Sequence, residues 1–337
     1  MVISRMICYA AAVVVSLSTA TFCLAQEPSK LPSSASKSAT SASLILDTPA
    51  DGPVSTPPGT VVEQNGSFND DSSGGFLTSD RGFPNFIGWI SNPTRNIDPR
   101  SLSELYPIFS YAWTDPFLVI PRGQISAYGA GLSLALTERL CVGITDGSPL
   151  WAHFNRQRTG WANLGGFGQY TLIRDTDDQF LLTLGLSWEA PSGSKEVFQG
   201  SPPAYLAPYL TLGKEFGNFH FLATTGYNFA AEHATVSTNT YFANFHFDYR
   251  VAGWFYPLVE FNGSWSNKTL NFTPDFAPGL IEIDRFDGTG GIFAVSPGFN
   301  AVIVQDRLEV GAVYSTPIWS RHDFNFNSML VKMIIRF

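Results

Sequence analysis

The sequence predicts an all-β fold: a transmembrane antiparallel up-and-down β-barrel of about twelve strands, preceded by a signal peptide and a disordered linker. Three observations predict it: an export signal at the N-terminus, apolar residues that alternate with period two, and connections that alternate between short and long. The composition agrees with this fold. Charged residues make up 14% of the chain, well below the roughly 25% of soluble domains, and aromatic residues make up another 14%.

The N-terminus has the three parts of a secretory signal. Arg5 supplies positive charge, residues 6–22 form the apolar region, and small residues precede Gln26. We therefore predict a signal peptide over residues 1–25 and a mature chain that starts near Gln26. An uncleaved anchor and a lipoprotein with its lipid on Cys23 are the alternatives.

The mature chain would keep one cysteine, Cys141, and therefore form no internal disulfide. The net charge of -8 and the absence of a Lys/Arg cluster argue against nucleic acid as a partner. After the signal, no apolar run reaches the length of about 18 residues that a membrane-spanning helix needs. A closed barrel is the other structure that satisfies every backbone group in lipid.

The composition changes twice along the chain, and these changes predict the domain organisation. Residues 26–75 are rich in Ser and Pro and have few large apolar side chains, which predicts a disordered linker. Residues 76–104 mix Gly, Pro and aromatics without a clear period, so they form an irregular pre-barrel segment, placed either under the barrel or inside its mouth. Residues 105–337 form the barrel.

Period-two alternation predicts the strands, because alternate side chains of a strand point to opposite faces. Phe245 and Phe247 lie on one parity, for example, and Asn244, His246 and Asp248 lie on the other. The predicted strands lie near residues 105–113, 123–136, 138–146, 161–173, 179–190, 204–213, 218–229, 240–251, 254–265, 290–303, 307–316 and 328–337. A soluble β-sandwich would also alternate, so the connections must separate the two folds.

The predicted connections differ in length at the two ends of the strands. Connections near 114–122, 147–160, 191–203, 230–239, 266–289 and 317–327 are long, and those between them are short. Transmembrane barrels have this asymmetry, with short turns facing the periplasm and long loops facing outside. The alternation therefore favours the transmembrane barrel over the sandwich.

The last predicted strand indicates the surroundings of the barrel. Met329, Val331 and Phe337 lie on one wholly apolar face, and Lys332 and Arg336 lie on the other. This pattern predicts outer-membrane lipid around the barrel and location in the bacterial outer membrane. A closing strand that ends on an aromatic also predicts the barrel-assembly machinery as a partner.

The inward parity carries the candidate functional residues. The predicted lumen-lining residues are Asn163, Gln169, Tyr205, Tyr209, His246, Asp248, Arg250, Glu260, Asn262, Lys332 and Arg336. An interior that holds both signs of charge and several aromatics can form a selective passage for small-molecule solutes. The alternative is a closed structural barrel whose interior is braced by ion pairs.

His246 and Asp248 lie two residues apart on the inward face of one predicted strand. This spacing allows a proton-relay pair or a weak metal site, but a polar lumen lining is the commoner use of such residues. We therefore predict no metal site and no cofactor.

Enzymatic motifs do not occur: there is no G-x-S-x-G, P-loop or H-E-x-x-H sequence. The alternative to a channel is an outer-membrane enzyme with a site at the outer rim. Asp115, His153, His233 and His322 fall in predicted outer connections and could serve such a site. Nothing in the sequence brings them together, so we predict that the protein is not an enzyme.

Three short segments carry a resemblance to a known family. They are GLSLALTERLCVG at 131–143, PLVEFNG at 257–263 and SPGFNAVIVQDRLEVG at 296–311. Together they resemble the outer-membrane β-barrel family linked to meta-pathway phenol degradation, over about residues 105–337. The resemblance implies porin-like, passive transport of small, apolar or aromatic molecules. The Glu of the family motif maps to Glu260, and no catalytic residue carries over.

Overall fold

The computed structural model describes residues 76–114, 123–145, 150–154, 158–197, 199–200, 203–231, 239–266, 291–321 and 326–337. The predicted signal peptide and the predicted linker lie outside these residues. No helix within the described ranges has the length and apolar character needed to cross a membrane.

The described chain is built almost entirely of β-strands, numbered here in chain order. They are β1 Glu104–Thr114, β2 Gly123–Ala135, β3 Leu140–Ile144, β4 Leu150–Phe154, β5 Arg158–Trp161, β6 Leu164–Asp175, β7 Phe180–Ala190, β8 Tyr205–Phe216, β9 Phe219–Ala230, β10 Thr240–Tyr249, β11 Phe255–Ser266, β12 Gly291–Val304, β13 Leu308–Arg321 and β14 Phe326–Arg336. A single 3₁₀ turn, Lys195–Val197, follows β7 within the described residues.

The sheet closes on itself, because β1 pairs with both β2 and β14. Every pairing is antiparallel, and the ring runs from β1 through β2, β3 and β6 to β14. This ring has twelve strands, which confirms the predicted all-β antiparallel barrel.

Two features differ from the predicted pattern of connections. The stretch predicted as one connection at 147–160 contains the hairpin β4–β5, because β2 is longer than β3 and its free half pairs with β4. β13 also continues to Arg321, so the link to β14 is shorter than the predicted 317–327. The alternation of short and long connections is therefore less regular than the sequence suggested.

The two ends of the barrel are distinct. The short turns at 136–139, 176–179, 217–218, 250–254 and 305–307 lie at one end, together with the start of β1 and the end of β14. We call this the short-turn end and the opposite one the long-loop end.

Side chains alternate across the barrel wall as the period-two pattern predicted. On β7 the outward-facing Leu184, Leu186 and Trp188 are 42–50% exposed, whereas the inward-facing Thr183 is fully buried. On β10, Asn244 and His246 are fully buried. The wall is thus apolar outside and polar inside, the reverse of a water-soluble β protein.

Candidate functional site

The lumen of the barrel is filled by the chain that precedes β1. Within residues 79–103, here called the interior segment, five large side chains have at most 2% of their surface exposed: Phe83, Phe86, Ile87, Trp89 and Ile90. The sequence left this segment either under the barrel or inside its mouth, and the structure places it inside.

The interior segment is shaped like a hairpin that enters and leaves at the short-turn end. Asp80 accepts a hydrogen bond from Arg174 near the β6–β7 turn, at 2.8 Å, and its backbone N–H bonds the carbonyl of Ser101 on the returning arm, at 2.7 Å. Ser101 in turn donates to the carbonyl of Thr137 in the β2–β3 turn, at 2.6 Å. Both arms are therefore attached to the same end of the barrel.

The tip of the hairpin lies far up the lumen. It turns at Asn92, whose φ of 48° is in the left-handed region that Asn tolerates better than most residues. The guanidinium of Arg95 lies 5.0 Å from the ring centroid of Phe242, near the long-loop end of β10. The segment thus spans the middle of the barrel.

Apolar contacts hold one face of the segment to the wall. Ile87 and Ile90 join one buried cluster on the β11–β14 side, which contains Tyr256, Leu258, Val313 and Leu330. Phe83, Phe86 and Trp89 pack against Leu181 and Leu222 in another. On β13 a glycine, Gly311, makes room for this packing, because a Cβ there would collide with the Ile90 side chain.

The strongest polar attachment of the segment is Glu260. Its carboxylate is fully buried and accepts the backbone N–H groups of Ile90 at 2.9 Å and Ser91 at 2.6 Å, one on each oxygen. His246 lies 2.7 Å from the oxygen that Ile90 contacts. Hydrogen bonds to a charged group contribute about 1.5–3 kcal/mol each, so these two bonds make a large contribution to the polar docking of the segment.

Glu260 begins a row of acidic and imidazole side chains along the wall. His246 Nε2 lies 3.0 Å from one oxygen of Asp248, and His220 Nδ1 lies 2.6 Å from the other. Glu215 lies 3.9 Å beyond His220, at the short-turn end. The row alternates carboxylate and imidazole, and its hydrogen bonds run without a break from Glu260 to His220 but not on to Glu215.

A second polar contact uses carboxamides. The Asn96 side chain donates to Asn262 at 2.9 Å and accepts from Asn244 at 2.6 Å. Asn262 also donates to the Ser91 hydroxyl at 2.7 Å. These amides lie next to Glu260 because the Asn244–Asn262 pair is two residues along the strands from the His246–Glu260 pair, on the same inward face.

The part of the wall formed by β13, β14 and β1 is braced by ion pairs. Arg336 bonds Glu309 and lies 3.4 Å from Glu104, and the ammonium of Lys332 lies 4.5 Å from the centroid of the Tyr106 ring. A cavity of about 20 Å³, with room for about one water molecule, borders Glu104, Tyr106 and Lys332. Within the described residues, this part of the lumen is thus filled by side chains of the wall and by the interior segment.

The returning arm carries its own ion pair, between Asp98 and Arg100 at 2.7 Å. Burial alone would raise the pKa of the Asp98 carboxyl, but the Arg100 guanidinium outweighs burial and holds that pKa below its usual value. Gln169 donates to the Asp98 carbonyl at 2.8 Å and accepts from Tyr209 at 2.9 Å. The wall thus binds the backbone of this arm, whereas the ion pair lies within the arm itself.

The predicted lumen-lining residues are all buried or half-buried. Eight are at most 6% exposed: Asn163, Gln169, Tyr205, Tyr209, His246, Asp248, Glu260 and Lys332. Arg250, Asn262 and Arg336 are half-buried. The structure brings Gln169, Glu260, Asn262 and Arg250 into contact with the interior segment, the last through Asn85.

Some of these residues lie away from the segment. Asn163 lies at the long-loop end, where its side chain donates to Glu189 and accepts from the backbone of Gly193 and Gly200. Sequence reasoning also missed His220, although it lies on the inward parity of its strand between Phe219 and Phe221. That parity was the signal that could have found it.

The enzyme alternative depends on residues that the structure does not describe, whereas the metal alternative concerns residues that it does describe. Asp115, His233, His322 and the side chain of His153 lie outside the described residues. Among the residues that the structure describes, no group of three or more His, Cys, Asp or Glu side chains could hold a metal ion.

No family model matches this sequence, and no curated protein matches it either. Several solved barrels are similar at low identity. The COG4313 outer membrane channel from Pseudomonas putida F1 is 10% identical with a TM-score of 0.48, over 73% of this chain and 98% of that one. The NanC porin is 10% identical with a TM-score of 0.47, over 69% and 100%. The KdgM porin is 10% identical with a TM-score of 0.40, over 69% and 99%. Similarities of this size carry no conclusion about function.

Proposed function

We propose that this protein is a bacterial outer-membrane channel for the passive passage of small molecules, held closed by its interior segment. The observation that carries the proposal is that the segment fills the lumen without belonging to the sheet. None of its residues lies in a strand, and the wall holds it mainly through wall side chains rather than through the backbone of the sheet. Withdrawing it would leave the twelve-strand hydrogen-bond ladder intact.

The exterior of the barrel supports a membrane location. Large apolar side chains that are 37–50% exposed lie on many strands: Leu105, Phe109, Tyr128, Tyr170, Leu184, Leu186, Trp188, Tyr227, Tyr249, Phe299, Tyr314, Met329 and Val331. Monomeric soluble proteins rarely expose contiguous apolar surface of this extent. Lipid is the solvent that such a band fits.

The interior supports passage rather than a purely structural barrel. A lumen filled only to stabilise the fold would be expected to hold well-packed apolar groups, because buried charges cost desolvation energy. Here the wall keeps Glu260, Asp248 and two imidazoles fully or almost fully buried against a removable segment. When the segment is withdrawn, these polar groups would line a water-filled path.

For the solute, the three sequence stretches at 131–143, 257–263 and 296–311 resemble a family associated with the passage of small, apolar or aromatic molecules. The wall carries rings that suit such solutes, including Tyr106, Phe167, Tyr209 and Phe242, all at most 6% exposed. The barrel-assembly machinery, acting on the strand that ends at Phe337, remains our proposed partner for insertion.

Conductance of the full chain in a planar bilayer tests the proposal. We expect a mostly closed protein with brief openings, and many more openings when residues 79–92 are replaced by a Gly/Ser sequence of equal length. This replacement removes the Glu260 contacts and the apolar anchors but keeps the returning arm with Asp98 and Arg100. If the folded replacement variant never conducts, the interior segment is not what closes the barrel.

A further inference from the structure

The interior segment occupies a built recognition site on β10 and β11, consisting of Glu260, His246, Asn244 and Asn262. All four contact it or support a contact, and three of them are fully buried. Across the two strands, His246 bonds Glu260 and Asn244 accepts the backbone N–H of Gly263, so the wall itself holds three of the four side chains. The site is therefore preorganised, and the segment's own chemistry shows what it binds.

The contacts of the segment define two features of an occupant. Two adjacent N–H groups, from Ile90 and Ser91, meet the two oxygens of Glu260. Beside them the Trp89 ring lies edge-on to the His246 imidazole, with centroids 5.5 Å apart. The occupant thus presents an aromatic ring next to a fork of two N–H donors.

The fit of the segment is incomplete, and the shortfall points to the same class of occupant. The segment brings only neutral amides to the Glu260 carboxylate. Its one ionisable partner in the described chain, His246, belongs to the wall and is shared with Asp248, so a cation in place of the segment would add positive charge. In addition, the buried Trp89 Nε1 has no hydrogen-bond partner among the described residues. A flat cation with paired N–H donors forms bidentate bonds in which donor and acceptor are both ionised, whereas in the bonds from the Ile90 and Ser91 amides only the acceptor is charged.

We propose that this site binds aromatic amidinium or guanidinium compounds, and that such a solute displaces the interior segment by taking its place on Glu260. The proposal rests on the proposed function, since it names the class of solute that opens the channel. The ring would take the position of Trp89 beside His246, and the cationic fork would take the positions of the Ile90 and Ser91 amides. The solute would thus replace the segment as the ligand of the Glu260 carboxylate, and this replacement would open the channel.

Binding of benzamidine to the purified full chain in detergent is the first test. Benzamide is the control ligand, because it has the same ring but no charge and no second nitrogen donor. We expect benzamidine to bind about tenfold or more tighter than benzamide, as an added charge-assisted bond implies. Glu260→Gln should abolish this preference. Glu309→Gln, which alters a carboxylate held by Arg336 on β13, away from Glu260, should keep it.

Displacement of the segment is the second test and needs no conductance. Ile87 is 1% exposed in the docked segment, so a cysteine at this position should react slowly with a small charged thiol reagent. Benzamidine should accelerate the labelling of Ile87→Cys several-fold, and benzamide should not. Equal affinity for the two ligands, or tighter benzamidine binding that leaves the labelling rate unchanged, would overturn the proposal.

Conductance separates this inference from the proposed function. A protein that conducts but shows no preference for benzamidine refutes the site and leaves the channel. A protein that prefers benzamidine through Glu260 but never conducts, with or without the ligand, refutes the channel and leaves the site.

Discussion

The carboxylate of Glu260 lies 2.6 Å from the backbone nitrogen of Ser91, and this bond joins the middle of the barrel wall to the segment inside it. Because both groups are buried, neither can exchange its partner for water without movement of the segment. The state of the proposed channel is therefore expected to depend on this contact.

Glu260→Gln should make the channel open more often. The neutral amide keeps one good acceptor but loses charge-assisted bonding, at a cost of about 1–3 kcal/mol to docking. Single-channel recording should show open probability raised by roughly fivefold or more, since about 1.4 kcal/mol is tenfold. The matched control is Glu309→Gln. If both variants open equally often, the Glu260 contact does not control docking.

A disulfide between the segment and the wall should lock the barrel closed. Ile90 and Gly311 are suitable because the Cγ1 atom of Ile90 lies 2.9 Å from where a Cβ of residue 311 would be. Under oxidising conditions the double variant Ile90→Cys with Gly311→Cys should lose its openings, and a reducing agent should restore them. Either single cysteine should behave the same with and without reductant. Persistent openings of the fully oxidised protein would show that ions pass elsewhere.

The cost of a charge on the outer wall should depend on depth. Phe245 lies midway along β10 on the outward parity, and Tyr249 lies at the short-turn end of the same face. Phe245→Arg should cost about 2–4 kcal/mol of folding free energy in lipid, and Tyr249→Arg about 0–1 kcal/mol. Equilibrium unfolding in lipid vesicles measures both. Equal costs would contradict a bilayer around this face.

The Asp98–Arg100 pair should give the structure a defined acid sensitivity. The pKa of Asp98 is lower in the folded protein than its usual value of 3.8, so its contribution is complete above that value and is lost as the pH falls through the folded pKa. Asp98→Asn, which leaves Arg100 uncompensated, should destabilise by about 3–5 kcal/mol at pH 7.

Thermal unfolding at several pH values checks this expectation. The difference between wild type and Asp98→Asn should stay constant from about pH 7 to pH 5 and shrink below about pH 4. Asp177→Asn, a change in an exposed turn, is the control and should have little effect. A difference that is already lost at pH 6 would show that the pair does not titrate as the geometry implies.

The long-loop end should face the outside of the cell. Glu196, in the 3₁₀ turn after β7, and Asp177, in the turn before it, are both exposed at opposite ends of the barrel. On intact cells an impermeant thiol reagent should label Glu196→Cys and spare Asp177→Cys. Lysed cells, in which both should react, provide the control. The reverse pattern would invert the orientation.

The sequence predicted the wall of the barrel much better than its contents. The parity of Phe245 and His246 placed one outward and the other inward, because a strand repeats every two residues and one wall separates two solvents. Residues 83–90 (FPNFIGWI) follow no period, because they pack against four or more strands rather than within one. Their apolar character indicated burial but could not say where.

The contacts of the site were beyond sequence reasoning for a related reason. His246 meets Glu260 because those two residues are directly opposite in the β10–β11 register. His220 meets Asp248 through the β9–β10 register in the same way. A shift by two residues in either pair would preserve every parity and break the row. Parity therefore identifies the inward residues, whereas their partners follow from registers that the alternation does not determine.

The hairpin shape of the interior segment determines how it responds to force. Its returning arm continues directly into β1, so a load on the arm before Asp80 meets a fixed far end. The contacts then bear the load one after another: first Asp80 with Arg174, next Asn85 with Glu215, and then the two amides on Glu260. When contacts break one after another, the force needed never exceeds that of the strongest single contact. When contacts are loaded at the same time, their strengths add. A modest pull from the short-turn side could therefore peel the segment from the lumen while the barrel itself, loaded across its whole ladder, stays closed.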